Sequence, residues 1–248
     1  MRTLLFRSTY ILAVGLLSCV IAAEKPYVID RQGNKHTGQK IRAEEDGEVI
    51  LTLGKGAEQV FSKKRYHYAY IPKPRNVGRL EKAFENEQYE IVREKAPGIF
   101  ENYKFLGWAA TVGRLHGRAL IQDEQYEKAL KVFTEALNYP IRNEDREKLR
   151  LGQAECHLEL GRKKEARNLL DLLKKSESNR IAAFSFMANG RLLAEEGKKR
   201  AAVLELMKTV LLFSPEDAGK YRGQARETAI KLLKEMGDSR YKYIQENT

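Results

Sequence analysis

Hydrophobic positions recur along this chain with two different periods. From Pro26 to about Ile71 every second residue is apolar in short runs, the spacing of a strand that buries one face. Val49, Leu51 and Leu53 alternate with Ile50 and Thr52, and Tyr66, Tyr68 and Tyr70 alternate with His67 and Ala69. Turn residues separate the runs at Gln32-Gly33-Asn34, Asp46-Gly47 and Gly54-Lys55-Gly56. The pattern predicts a β module over residues 24–74 with about four short antiparallel strands, arranged as an SH3-like or Sm-like half-barrel. So small a sheet needs cover, so it should pack on the first helices. Pro72-Lys73-Pro74 closes the region, because proline lacks the amide proton a strand ladder requires.

After Asn76 the spacing becomes helical and the text begins to repeat. Glu85-Asn86-Glu87-Gln88-Tyr89-Glu90 recurs as Gln122-Asp123-Glu124-Gln125-Tyr126-Glu127, with the two tyrosines 37 residues apart. Ala129, Ala166 and Ala202 form one column at steps of 37 and 36, with Val92 one step earlier. Gly117, Ala154 and Gly190 form a second, small column twelve residues before each alanine, where the first unit has Leu80. Phe133, Leu170 and Leu206 form a third, four residues after each alanine. Small residues let two helix backbones approach, and the large column fills the layer between units. One such helical pair cannot bury its own apolar face, so the pairs must stack. Gly161 and Gly197 fall at the turns within the pairs. The fold class predicted is therefore mainly α: a helical-hairpin solenoid of about four units and a capping helix over residues 75–238, preceded by the β module.

The repeats resemble the tetratricopeptide repeat family. The clearest unit is Gly117 through Pro140, where Tyr126-Glu127-Lys128-Ala129, Phe133, Ala136 and Pro140 follow the family's order. Ala154 to Leu170 and Gly190 to Pro215 match its small, small and large columns without the second helix's tyrosine. The resemblance covers about residues 76–237, and its step of 36 or 37 exceeds the 34 usual in the family, which implies longer turns or related helical-hairpin repeats. Ser214-Pro215-Glu216-Asp217 starts the last helix with a capping serine, a first-turn proline and acids at the positive end of the dipole. That helix runs through Ala218, Tyr221, Ala225, Ala229 and Leu233 to Gly237 and reads as the cap, while residues 239–248 show no partner and are expected to form a flexible tail.

The first residues carry a different message. Arg2 and Arg7 precede an uncharged stretch from Ser8 to Ala23, and polarity returns abruptly at Glu24-Lys25-Pro26. Basic, apolar and small-residue segments in that order predict a secretory signal over residues 1–23, cleaved after Ala22 or Ala23. The apolar part is shorter than the ~20 residues a spanning helix needs. Leu16-Leu17-Ser18-Cys19 also resembles a bacterial lipobox, which would lipidate Cys19 and tether the protein to a membrane. Loss of the signal leaves Cys156 as a single cysteine, so no intramolecular disulfide is expected and stability must come from packing. The formal net charge of +11, or +9 without Arg2 and Arg7, points to acidic partners.

Candidate chemistry adds little. HExxH, CxxC, GxSxG, P-loop and dinucleotide fingerprints are absent from the text, Gly54-Lys55-Gly56 is too short to cradle phosphate, and no cofactor or metal is implied. His36, His67, His116 and His157 are scattered, and Cys156 and His157 point about 100° apart on a helix. Tyr103, Phe105 and Trp108 are read as the start of the second unit's first helix, with Trp108 packed between units. The resemblance further implies that first helices line a concave groove, with the positions three before and one after each small-column residue facing it. Those positions hold Arg114 and Arg118, Leu151 and Glu155, and Met187 and Arg191. Arg114, Arg118, Glu155 and Arg191 are thus the candidate partner-binding residues, with arginines suited to acidic peptide groups.

The expectation is a non-enzymatic envelope scaffold that binds protein partners, envelope proteins or acidic segments, in the periplasm, with peripheral membrane association if Cys19 is lipidated. Nucleic acid is not expected, although a small basic barrel with Tyr66, Tyr68 and Tyr70 would offer stacking surfaces were the signal retained. A third reading is the recruiting arm of a peptidoglycan-acting envelope enzyme.

Overall fold

The computed structural model describes residues 24–247. The signal-like segment and Cys19 lie outside the described residues.

Among the described residues, six short strands and ten α-helices follow one another in that order. The strands are β1 (Tyr27–Asp30), β2 (Lys35–Thr37), β3 (Lys40–Ala43), β4 (Val49–Thr52), β5 (Glu58–Phe61) and β6 (Tyr66–Tyr70). They form two three-stranded antiparallel sheets, β2-β1-β6 and β3-β4-β5, in place of the single half-barrel of about four strands expected. The extra strands did not stand out because β2, β3 and β5 are three or four residues long, too short for an alternation to be recognised. Val28 opposes Ala69 across β1 and β6, and Leu51 opposes Ile41 and Gln59 across the second sheet.

The helices are α1 (Arg75–Glu85), α2 (Tyr89–Tyr103), α3 (Ala109–Gln122), α4 (Tyr126–Ala136), α5 (Asn143–Glu159), α6 (Lys163–Leu173), α7 (Asn179–Glu195), α8 (Lys199–Leu212), α9 (Pro215–Glu235) and α10 (Arg240–Asn247). The first eight form four antiparallel pairs. First helices stack on first helices, α3 on α5 and α7 on α9, which is the arrangement of a helical-hairpin solenoid.

Packing follows the repeat columns. Val92, Ala129, Phe133, Ala154, Ala166, Leu170, Ala202 and Leu206 are fully buried. Gly117 and Gly190 are buried as well, and a Cβ on them would lie 2.5 Å from the Phe133 ring and 2.6 Å from Leu206. Each small residue thus sits against the large residue of its own hairpin. Gly152 of the next unit also approaches the tip of the Phe133 ring, where a Cβ would lie 2.4 Å from it. The turn inside each pair has one left-handed residue at the same repeat position: Glu87, Glu124, Gly161 and Gly197. Glycine meets that demand without strain, whereas the two glutamates adopt it at a cost.

The β module is not a separate body. Phe105 and Leu106, from the connection between α2 and α3, join Val28, Val49, Leu51, Phe61 and Tyr66 in one core. The Ile71 amide donates to the Leu106 carbonyl at 3.2 Å, and the Trp108 indole N–H donates to the Ile71 carbonyl at 2.9 Å. Gly107 has φ +87° and leaves no room for a Cβ, which would lie 2.7 Å from the Tyr68 hydroxyl. Tyr103, Phe105 and Trp108 therefore do not begin the second unit's first helix. Tyr103 ends α2, Phe105 and Trp108 occupy the connection, and α3 starts at Ala109. The physical reason is the small sheet's need for cover, which these rings supply.

At the other end, the Ser214 hydroxyl accepts from the Asp217 amide at 3.2 Å and opens α9 with Pro215 in its first turn. The flexible tail expected over residues 239–248 is corrected for the described part: Arg240–Asn247 is α10, which packs on α9 and buries Ile244, while Arg226 donates to the Gln245 carbonyl at 2.6 Å. One buried apolar residue is too little periodicity to stand out in the sequence.

Ala129→Leu and Ala166→Leu should each lower stability by about 1–3 kcal/mol, because added methylenes at a close helix crossing force strain. Gly152→Ala should cost a similar amount through the Phe133 ring. Denaturant midpoints measure all three, and unchanged midpoints would place these residues outside the packed layer.

Candidate partner groove

Arg114, Arg118, Leu151, Glu155, Met187 and Arg191 all line one open groove of about 720 Å³. They reach it from α3, α5 and α7 because the small-column residues beside them turn the opposite face of each helix into the core. The groove is chemically lopsided: Arg114, Arg118, Lys148, Arg180, Arg191 and Lys220 line it against only Glu155 and Glu159. Apolar surface lies between the charges, from Phe84, Ile121, Tyr126, Phe184 and Tyr221.

The two arginines of α3 are not equivalent. Arg118 is a fork on Glu155: its Nη1 donates to Oε2 in a short contact and its Nη2 to Oε1 at 3.2 Å. Residues 118 and 155 occupy the same place in successive units, so stacking brings them together. Burial pushes the Glu155 carboxyl above its ordinary range, and Arg118 opposes that rise. Arg114 is half-buried and takes part in no hydrogen bond or ion pair among the described residues. Burial, then the like charge of Arg118, push its pKa down, and the carboxylates of Asp145 and Glu81, neither within ion-pair distance, oppose that shift only in part. Arg191 stands exposed on the groove rim.

Sequence reasoning missed Lys148, Arg180 and Lys220 on the same wall. The first two lie one and two turns before Leu151 and Met187 on the same helix faces, a signal that was legible. Lys220 comes from the capping helix, and only the stacking of α9 on α7 places it there.

Other candidates stay apart from this groove. Cys156 is buried, and burial pushes its thiol up to about 12, which removes it as a nucleophile near neutrality. His157 Nδ1 is buried without a hydrogen-bond partner among the described residues, and burial followed by Arg162 pushes the ring's pKa down, so it stays neutral. His36 Nε2 meets Asp30 Oδ2 at 2.9 Å and helps hold the turn after β1. Tyr66 and Tyr68 are buried, with the Tyr66 hydroxyl donating to the Gly47 carbonyl at 2.9 Å, so they offer no base-stacking platform.

Residues 120–190 match the family model described as Tetratricopeptide repeat. That stretch holds the end of α3, the whole of α4 to α6 and the first part of α7. No curated protein matches the chain.

Glu155 yields a pH prediction. Its folded pKa lies above that of an unfolded chain, so ionising it opposes folding: the stability linked to this group is present at low pH and is lost as pH rises through the folded pKa. Arg118→Ala removes the opposing cation and should raise the Glu155 pKa further. Carboxyl-resolved NMR titration measures this, and an unmoved or lowered pKa would mean the fork does not hold in solution.

Proposed function

We propose, from the match of residues 120–190 to the tetratricopeptide repeat model and the stacked helical hairpins on either side of it, that this chain is a non-enzymatic scaffold of the bacterial envelope, holding an acidic segment of a partner protein in the groove. Repeat arrays of this kind present extended surfaces for protein segments. The observation that carries the reading is Arg114, a half-buried guanidinium facing the groove that forms no hydrogen bond or ion pair among the described residues, with the carboxylates of Asp145 and Glu81 acting on it only from beyond ion-pair distance. A buried charge without a partner is costly, and a carboxylate from outside is the group that relieves it. Arg191, Arg180 and Lys220 supply further positive charge along the path such a segment would take, and the aromatic and apolar side chains between them suit its uncharged residues.

Arg118 has a different part. Glu155 already occupies its fork, so a partner carboxylate gains from Arg118 only by displacing Glu155. Export supports the envelope setting: the basic, apolar and small-residue order of residues 1–23 is that of a secretory signal, and a lipidated Cys19 is the alternative anchor. No helix among the described residues is long and apolar enough to cross a membrane.

Two experiments test this. N-terminal sequencing of the protein from its own envelope should find a start at Ala23 or Glu24; an intact Met1 would remove the export reading, and a lipidated Cys19 would replace free periplasmic protein by a tethered one. Affinity capture from that envelope should identify the partner, and Arg114→Ala with Arg118→Ala should weaken its capture by more than ~2 kcal/mol where the contacts are buried. Arg114→Ala should account for most of that loss, with a nearly unchanged melting temperature. Full recovery of the partner by the double variant would exclude the groove arginines.

A further inference from the structure

The four hairpins provide an internal control for what an outward helix face should look like. Aligned on Val92, Ala129, Ala166 and Ala202, the second helices α2, α4, α6 and α8 expose equivalent positions. Two positions after that column stand Glu94, Lys131, Asn168 and then Leu204. Nine positions after it stand Glu101 on α2, Asn138 and Lys175 just past the ends of α4 and α6, and then Leu211 on α8. In three units these sites are polar, as a solvated face should be, and in the fourth both are leucine.

The exposure is real: Leu204 and Leu211 are each 69% exposed and Leu212 is 65% exposed. Leu204 and Leu211 lie seven residues apart and so share one stripe of the helix. The charges around them change too. Two positions before the column, Glu90 and Glu127 give way to Lys164 and Arg200, and six after it stand Gly98, Glu135, Leu172 and then Lys208. No acid remains exposed on α8, since its one acid, Glu205, is buried. Glu205 is held by both Lys174 and Lys208, so that trio keeps a net positive charge, and Arg200 forms no ion pair among the described residues.

Leucines interleaved with cations and no acid, on an outward helix face, are the pattern of a helix lying on a lipid surface. A second copy of the same face would bring Arg200 and Lys208 against their own like charges, which disfavours self-association. Protein interfaces favour aromatic residues and arginine over leucine and lysine, which disfavours a protein hot spot. An anionic bilayer satisfies both the leucines and the cations.

We propose that the outward face of α8, centred on Leu204, Leu211 and Leu212 with Arg200 and Lys208, is a docking surface for an anionic membrane. This contact is independent of the groove and of Cys19, and it would hold the last unit against lipid while the groove stays open to a partner.

The test is sedimentation of the full chain with vesicles of phosphatidylcholine alone and of phosphatidylcholine mixed with phosphatidylglycerol. Wild type should partition preferentially into the anionic vesicles and be released by salt. Leu204→Ser, Leu211→Ser and Leu212→Ser together should lower that partition at least ~10-fold, because the apolar insertion is lost. Residues 1–23 are common to both proteins, so the difference belongs to α8. Arg200→Gln alone should reduce the preference for phosphatidylglycerol, and thermal melts of all variants should match wild type because these side chains are exposed. Equal sedimentation of wild type and the triple variant, or wild type left in solution by anionic vesicles, would overturn the proposal. So would a wild-type dimer that the triple variant abolishes without any vesicle binding, which would give the face to a second copy.

Discussion

The Phe133 ring is held against two backbones that have no side chain to keep them away. Gly117 of its own hairpin and Gly152 of the next both lie so close that a methyl group on either would collide with the ring. One aromatic side chain thereby sets the spacing of α3, α4 and α5 together. Burial of a phenylalanine from water is worth about 1.5–3 kcal/mol, and the close approach of glycine backbones adds dispersion contacts along the ring. Leu206 against Gly190 repeats the contact within the hairpin in the fourth unit. Because first helices come together this closely, their opposite faces form a continuous inner wall, and the groove follows from the packing of the layer behind it.

The N-terminal end of the stack is closed by a different means. A bare first hairpin would leave apolar surface open, and the β module could not fold on six strands of three to five residues alone. Each supplies what the other lacks. Phe105 and Leu106 complete the module's core, while Tyr139, which packs edge-on to both Phe100 and Phe105, ties that core to the second unit. At the far end α9 and α10 do the same work with polar outer faces, as terminal repeats of a solenoid must.

How much of this could be read in advance depended on whether a feature repeats. The buried columns are fully legible, because each recurs at 36 or 37 residues with the same size class. The left-handed turn residue recurs as well, but glutamate at 87 and 124 hides what glycine at 161 and 197 advertises. Gly152 is silent in the sequence, since its role is to meet a ring from the preceding unit. The strands β2, β3 and β5 are three or four residues long, too short for a period to stand out, and α10 buries one apolar residue, Ile244, besides its polar contacts with Arg226 and Lys234 of α9. The four groove residues that the family resemblance implied do line a common wall, yet the resemblance did not foretell that Arg118 would be spent on Glu155 and Arg114 left outside any ion pair. That distinction arises only when equivalent positions of neighbouring units are stacked.

The inner wall carries six cations against two acids, with Arg114 outside any ion pair, and the outward face of α8 carries exposed leucines beside Arg200 and Lys208. The proposed function requires that the partner be held by the inner wall of first helices. Amide hydrogen exchange of the chain, alone and bound to its captured partner, tests this most directly. Slowed exchange concentrated in α3, α5, α7 and the start of α9, with α2, α4 and α6 unchanged, is the predicted result. Protection confined to the second helices or to the β module would contradict it.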